Sequence, residues 1–531
     1  MVDSNKDKPL HIVVGSGPAG VACAQALLQR SARVVMLDAG ITLEKSRSDL
    51  VAQMSLLPPK SWSAAILDDF KAGWRPGIKG MPPKLAYGSD YPYRETDTPF
   101  AVEYDGVALR PSLARGGFSS VWGAAMMPYS ENDVAGWPIG LDELADHYSA
   151  VAKLTRLSAV HDDLERAFPL HAEPAAALTL SRQARILKAR LEKYRLPLQQ
   201  AGIHFGQARV AVKVGEPGCV YCGLCLYGCP YGYIYNSEQT LRALQQSPNF
   251  TYRDDCVVTR LREDGDKVFV AGHHRVNREP FEIPASRVHL ATGPVTTAGI
   301  VLRSRSLYDR PVNLKDSQYY MFPLLLARGA GDVRQESLHT LSQMFVEILD
   351  DRITPRSVHL QIYSYNDLVG QAVRQSFGPA AGMLEGLARA LENRMLIVQG
   401  YLHSDHSSQI SVTLKNGQPD RLVLRANLNP KVRPTIRRVL GKLMRHARQF
   451  GAWPLTPMLQ IPDPGHSFHN GSSFPMRANP GELETDTLGR LRGWQRIHIV
   501  DASVLPDIPA TTITFSVMAN AHRIGWHAAN L

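Results

Sequence analysis

The chain lacks any apolar run near the roughly 18 residues needed to cross a bilayer, so no transmembrane helix is expected. Its first residues, MVDSNKDKPLHIVVG, lack the basic start, apolar middle and small-residue cleavage site of a signal peptide. A cytoplasmic protein is the resulting expectation. Lysine–arginine blocks and interleaved aromatic platforms are missing too. The 59 basic and 49 acidic residues are scattered, and the net charge of +10 reads as a mildly basic, solvated surface. Nucleic-acid binding is therefore not expected. Such a surface still suits an acidic electron-transfer partner or a phosphorylated sugar. No internal repeat or low-complexity segment is seen, which argues against a solenoid. Cysteine is scarce, with six in 531 residues.

What is present describes a large globular chain. It is about three to four times as long as a usual single domain, so two consecutive or interleaved domains are expected. A hydrophobic content of 44% with 20% charged residues allows a sizeable core.

The first motif stands near the N-terminus. HIVV, from His11, reads as a buried strand, and GSGPAG follows with Gly15, Gly17 and Gly20. A helical stretch, VACAQALLQR, leads to a second strand, RVVMLDAG, that closes on Asp38. Each part has a task. Gly15 allows the tight turn, Gly17 lets a pyrophosphate approach the backbone, and Gly20 lets helix and strand pack closely. The helix start offers free N–H groups and a positive dipole end to phosphate. Asp38 stands where an acid accepts hydrogen bonds from the adenosine ribose. A dinucleotide site is expected. Its place at the start of a long chain favours FAD over NAD.

Cys23 and Cys256 stand alone and read as small core residues. The other four lie in GCVYCGLCLYGCPYGY: Cys219, Cys222, Cys225 and Cys229, spaced C-x2-C-x2-C-x3-C and followed by proline. Disulfides are not expected in a reducing compartment, so ligation of a metal or cluster is. The spacing is that of a bacterial ferredoxin run. Zinc usually takes two C-x2-C knuckles parted by a longer loop, whereas one compact loop wraps an iron–sulfur cubane more readily. A cluster is therefore expected ahead of zinc, with zinc and a site without metal as the alternatives.

Four further stretches resemble the glucose–methanol–choline (GMC) family of FAD-dependent oxidoreductases. ARGGFSSVWGAAMMPYSENDVAGWPIGLDELADHY, from Ala114, is similar to the family's second glycine-rich loop. CVVTRLREDG, from Cys256, is similar to its adenine-holding strand. VHLATGPVTTAGIVLRS, from Val288, follows the family's strand-to-helix segment, with Ala298 where a proline is usual. IHIVDASVLPDIPATTITFSVMANAHRIGW, from Ile497, resembles its closing V-V-D-A-S-V-x-P motif. The resemblance runs from residue 11 to about residue 526 and leaves 311–460 without a matched motif. It implies that Gly116, Gly117, Ser119 and Ser120 face the flavin and pyrophosphate. It also implies that Val257 and Val258 hold the adenine, and that Asp501 and Ala502 lie by the ribityl chain.

The family takes the alcohol proton on a histidine in the pattern H-x-x-G-[TG]-x-x-M. HSFHNGSSFPM places His469 in that register, with His466 as the alternative. An imidazole suits the task because its pKa lies near working pH. A second histidine or asparagine usually follows. Here Thr512 holds that place, and it can supply one orienting hydrogen bond but no base. Within the family, cluster-bearing bacterial sugar dehydrogenases space their cysteines C-x5-C-x3-C-P. Cys219, Cys225 and Cys229 fit that spacing and Cys222 is an addition, so [3Fe–4S] or [4Fe–4S] is implied.

The expected fold is α/β: a Rossmann-like FAD-binding domain interleaved with an antiparallel-sheet substrate domain. Residues 1–60, 110–150, 205–310 and 461–531 are assigned to the first, and 61–109, 151–204 and 311–460 to the second. The expected activity is FAD-dependent oxidation of a hydroxyl on a sugar, polyol or glycosylated metabolite. Electrons would pass through the cluster to a cytochrome, quinone or ferredoxin-like acceptor. Two rivals stand beside it: a reductase running the other way on C=O or C=C, and a non-catalytic flavin-binding protein with a structural metal.

Overall fold

Five short, nearly continuous apolar stretches build the first sheet. In spatial order these are Ile497–Ile499, Arg287–Leu290, Leu10–Val14, Arg33–Leu37 and Phe250–Arg253, all parallel. Strands buried on both faces need such runs, because helices cover a parallel sheet on either side. This computed structural model describes residues 8–73, 84–174, 176–417 and 420–531. Helix Pro18–Gln29 leaves the first strand and packs along the last helix, Thr514–Ala528. The approach is close: a Cβ on Gly525 would stand 2.7 Å from the Cys23 carbonyl oxygen.

Three histidines stack across this sheet. The rings of His11 and His289 lie 5.4 Å apart, and those of His289 and His498 5.1 Å. All three are buried. Burial lowers the pKa of His11 to about 4 and that of His498 to about 3, and holds His289 well below 6.5.

Beside it lies a three-stranded antiparallel sheet of Cys256–Asp264, Lys267–His274 and Pro280–Ala285. A second five-stranded sheet joins Asn470–Gly471, Pro311–Asp316, Gln409–Lys415, Arg421–Asn427 and Ala101–Asp105; only its last pair is parallel. The six-stranded sheet is antiparallel throughout, in the order Ala452–Pro454, Tyr319–Leu326, Met395–Leu402, Thr354–Tyr363, Met344–Asp350, Ile203–Gln207. Successive side chains on a strand point to opposite faces. One face, with Val346, Val358, Leu360, Ile362 and Val398, packs in one apolar cluster with Leu187 and Leu191 of helix Arg182–Lys193 and Ile436 and Val439 of helix Val432–Arg445. The other face is mixed, with polar side chains such as Glu347, His359 and Gln361 beside Phe345 and Ile397. Among the described residues, no helix is long and apolar enough to cross a membrane.

Candidate functional site

The two glycine loops meet. The amide of Gly116 donates to Ser16 Oγ at 2.9 Å, and a Cβ on Gly117 would come 3.4 Å from Gly17 Cα. Gly15 holds φ +99°, open to glycine at little cost, and a Cβ on Gly20 would collide with the Gly15 carbonyl oxygen at 1.9 Å. At Gly17 and Gly293 a Cβ would meet nothing within 4 Å, so space lies open beside both. No side chain caps helix Pro18–Gln29. Its first N–H groups are left to water or a ligand. These features fit a bound dinucleotide.

Asp38 is buried, and its Oδ2 accepts from Ser16 Oγ at 2.6 Å and from Tyr252 Oη at 3.0 Å. Burial raises its pKa against those bonds. Val257 and Val258 are buried at the start of their strand, where Cys256 N–H bonds the Asp38 carbonyl at 2.8 Å. Ser119 Oγ accepts from the Ser237 amide at 2.9 Å, and Ser120 Oγ donates to the Gly117 carbonyl at 2.9 Å. Asp501 is engaged with the chain: its carboxylate accepts from Gly293 N–H, Thr297 Oγ1 and Ser503 N–H, and so fixes the start of helix Pro294–Ser304. The Ala502 carbonyl accepts from Ser472 N–H.

The histidine loop is shaped by buried Asp316, which accepts from Gly465 N–H and Ser467 Oγ, each at 2.9 Å. Burial raises the Asp316 pKa to about 7. Phe468 meets Phe118 of the flavin-type loop edge-on, ring centres 4.9 Å apart, so His469 is carried to that loop. The His469 ring stacks on Tyr401 at 5.0 Å, and its Nδ1 is buried without a hydrogen-bond partner. Burial, with a smaller contribution from the nearby His359, lowers its pKa to about 3. His466 leans on Tyr319 instead, at 5.4 Å. Thr512 Oγ1 accepts from Met127 N–H at 2.8 Å, which leaves its O–H as a donor.

The polar face of the six-stranded sheet lies across from the flavin-type loop, with Tyr363 Oη 3.5 Å from a Cβ placed on Gly123. It carries Glu347, His359, Gln361, Tyr363, Gln399 and Tyr401. Tyr363 Oη donates to Gln361 Oε1 at 2.8 Å, and Tyr401 Oη to Gln399 Oε1 at 3.2 Å. His359 Nδ1 is bonded to Glu347 Oε1, and both side chains are wholly buried. No motif announces these residues. The available signal was VHLQIY, Val358 to Tyr363, where apolar and polar residues alternate strictly.

The four cysteines are free thiols lining one cavity, walled by Leu178, Ile234, Leu341 and His339. Tyr233 N–H points at Cys229 Sγ, 3.3 Å away. Burial pushes the Cys219 and Cys222 thiols up to about 12. Gln343 Nε2 sits 3.3 Å from His339 Nδ1, while buried His339 Nε2 has no partner. Among the described residues, no group of three or more His, Cys, Asp or Glu is gathered to hold a single metal ion. The Cys loop reaches the flavin-type loop: Trp122 Nε1 donates to the Tyr235 carbonyl at 2.8 Å, and Lys84 Nζ donates to the Trp122 carbonyl at 3.0 Å.

No family model matches the chain, and no curated protein matches its sequence. Solved structures do match in shape. A formate oxidase aligns with TM-score 0.61 at 15% identity, over 99% of this chain and 98% of its own. Pyridoxine 4-oxidase from Mesorbium loti gives 0.60 at 16%, over 97% and 98%. An FAD-dependent oxidoreductase from Chaetomium thermophilum gives 0.58 at 12%, over 97% and 98%. From end to end, the chain has the mixed α/β fold of GMC-type oxidoreductases.

Proposed function

We propose that this chain is an FAD-dependent dehydrogenase that oxidises a hydroxyl group on a sugar, polyol or glycosylated metabolite. The observation that carries this reading is His469. Its imidazole stacks on Tyr401, and its loop touches the second glycine loop through Phe468 and Phe118. Gly15, Gly17, Gly20 and the start of helix Pro18–Gln29 would hold the pyrophosphate. Asp38 would hold the ribose, Val257 and Val258 the adenine, Gly116, Gly117, Ser119 and Ser120 the flavin, and Asp501 and Ala502 the ribityl chain. When bound, FAD supplies the acceptor for a hydride.

His469 meets the substrate as a neutral imidazole, because burial disfavours its charged form. Thr512 keeps the Met127 backbone in place. The tyrosines and amides of the sheet offer both donors and acceptors, which suits a polyhydroxylated molecule.

A [4Fe–4S] or [3Fe–4S] cluster in the cysteine cavity completes the proposal. Support comes from four thiols on one wall, the Tyr233 amide aimed at sulfur, and the unpartnered His339 Nε2. A cluster gives each thiolate its own iron, so the set need not close round one ion. It would supply one-electron transfer to a cytochrome, quinone or ferredoxin-like partner.

The test is anaerobic purification with FAD, iron and sulfide counted, followed by mixing with sugars and polyols and the dye DCPIP. Flavin bleaching and dye reduction are expected, and both vanish in His469→Ala while FAD is kept. A flavin that no hydroxyl compound reduces would overturn the oxidation. Iron near zero would remove the cluster.

A further inference from the structure

We propose that His359 and Glu347 form the proton-holding pair of this site: His359 touches the substrate hydroxyl and Glu347 positions it. The pair rests on the hydroxyl-oxidation reading and deepens it. The two side chains face each other in register across neighbouring strands and are wholly buried. A bond from His359 Nδ1–H to the carboxylate leaves Nε2 as an acceptor. Gln361 Nε2, 3.2 Å away, donates to that lone pair, and Gln361 Oε1 accepts from Tyr363 Oη. The chain of bonds therefore runs one way, from the hydroxyl beside the flavin-type loop to Glu347. A substrate hydroxyl that displaces the Gln361 amide meets the same lone pair.

His359 and His469 serve one pocket, since both flank Tyr401, with ring centres 5.9 and 5.0 Å from it. Thr512, the residue aligned with the GMC pattern's second group, is already bonded to Met127. The sheet supplies a second group from a different strand.

Contact with a carboxylate separates the two histidines: His359 bonds Glu347, whereas His469 Nδ1 has no partner. Behind Glu347 lies Arg209, fully buried, with Nε and Nη2 unpartnered. Asp162 stands 3.9 Å from Arg209 Nη2. His469 has no hydrogen bond to a carboxylate. The step then balances. The substrate O–H breaks and its proton goes to His359 Nε2. FAD, when bound, would supply the oxidant that accepts the C–H bonding pair as hydride, leaving C=O.

The test uses the FAD-loaded full chain with 15N-labelled histidine. Wild type should show one far-downfield imidazole N–H proton, absent in His359→Gln and moved upfield in Glu347→Gln. With the hydroxyl substrate found by dye reduction, His359→Gln should lower kcat about 100-fold with FAD content unchanged. Glu347→Gln should lower it about 10-fold and shift the acid limb of the pH profile. His204, His469, Tyr401, Arg209 and Asp133 are the other ionisable groups packed around the pair. A proton signal without any dye reaction counts against the hydroxyl-oxidation reading and leaves the pair supported. A missing signal, a full rate in His359→Gln, or an unmoved profile in Glu347→Gln overturns the pair.

Discussion

In the parallel sheet, strands such as Leu10–Val14 and Arg33–Leu37 are buried on both sides, and the working parts are backbone: glycines, free N–H groups, a helix start. In the six-stranded sheet, one face is apolar and the other carries Glu347, His359, Gln361 and Tyr363. In the proposed site the first region would bind by the shape of the chain itself, and the second would act through side chains. The difference teaches where each region can be broken.

The largest effect is expected at Gly20. Its Cβ would meet the Gly15 carbonyl oxygen at 1.9 Å, so Gly20→Val should cost more than about 4 kcal/mol and yield protein without flavin. Flavin bound one to one in that variant would end the contrast. Next comes acid. The stacked histidines are neutral when folded and titrate near 6.5 when unfolded, so the unfolded chain binds more protons below that pH. Stability should fall from pH 6.5 towards about 4, by about 3 kcal/mol for His11. Urea midpoints should show it, and His11→Gln should flatten the slope. A smaller loss is expected in Thr512→Val, which strands the Met127 amide: about 1–2 kcal/mol in thermal unfolding, with flavin kept. The smallest is Tyr401→Phe. Its stability should stay within about 1 kcal/mol of wild type, while KM for the hydroxyl substrate rises. A large loss of stability there would mean that the polar face also holds the fold together.

The same contrast explains what could be read in advance. Gly15 and Gly20 announce themselves because no other residue fits their geometry. His469 is picked out by its spacing to Met476. No sequence pattern shows that the Thr512 hydroxyl faces a backbone amide. Glu347 and His359 meet only through strand pairing, and no local motif encodes that. Strand Ile203–Gln207 also straddles the domain limit expected near residue 205, since it pairs with Met344–Asp350 in the six-stranded sheet. Cysteine spacing suggested a ligand set; it could not show that His339, more than a hundred residues later, lines the same cavity.

The packing of helix Thr514–Ala528 on Pro18–Gln29 has a consequence for synthesis. The edge strand Ile497–Ile499 and this last helix belong to the same unit as the first strand. A ribosome therefore delivers the opening βα unit long before its covering pieces exist. Until then Cys23 and its neighbours present the apolar surface that Gly525 later covers. Truncation just before residue 497 should leave a chain that holds its antiparallel sheets yet is captured by chaperones through helix Pro18–Gln29.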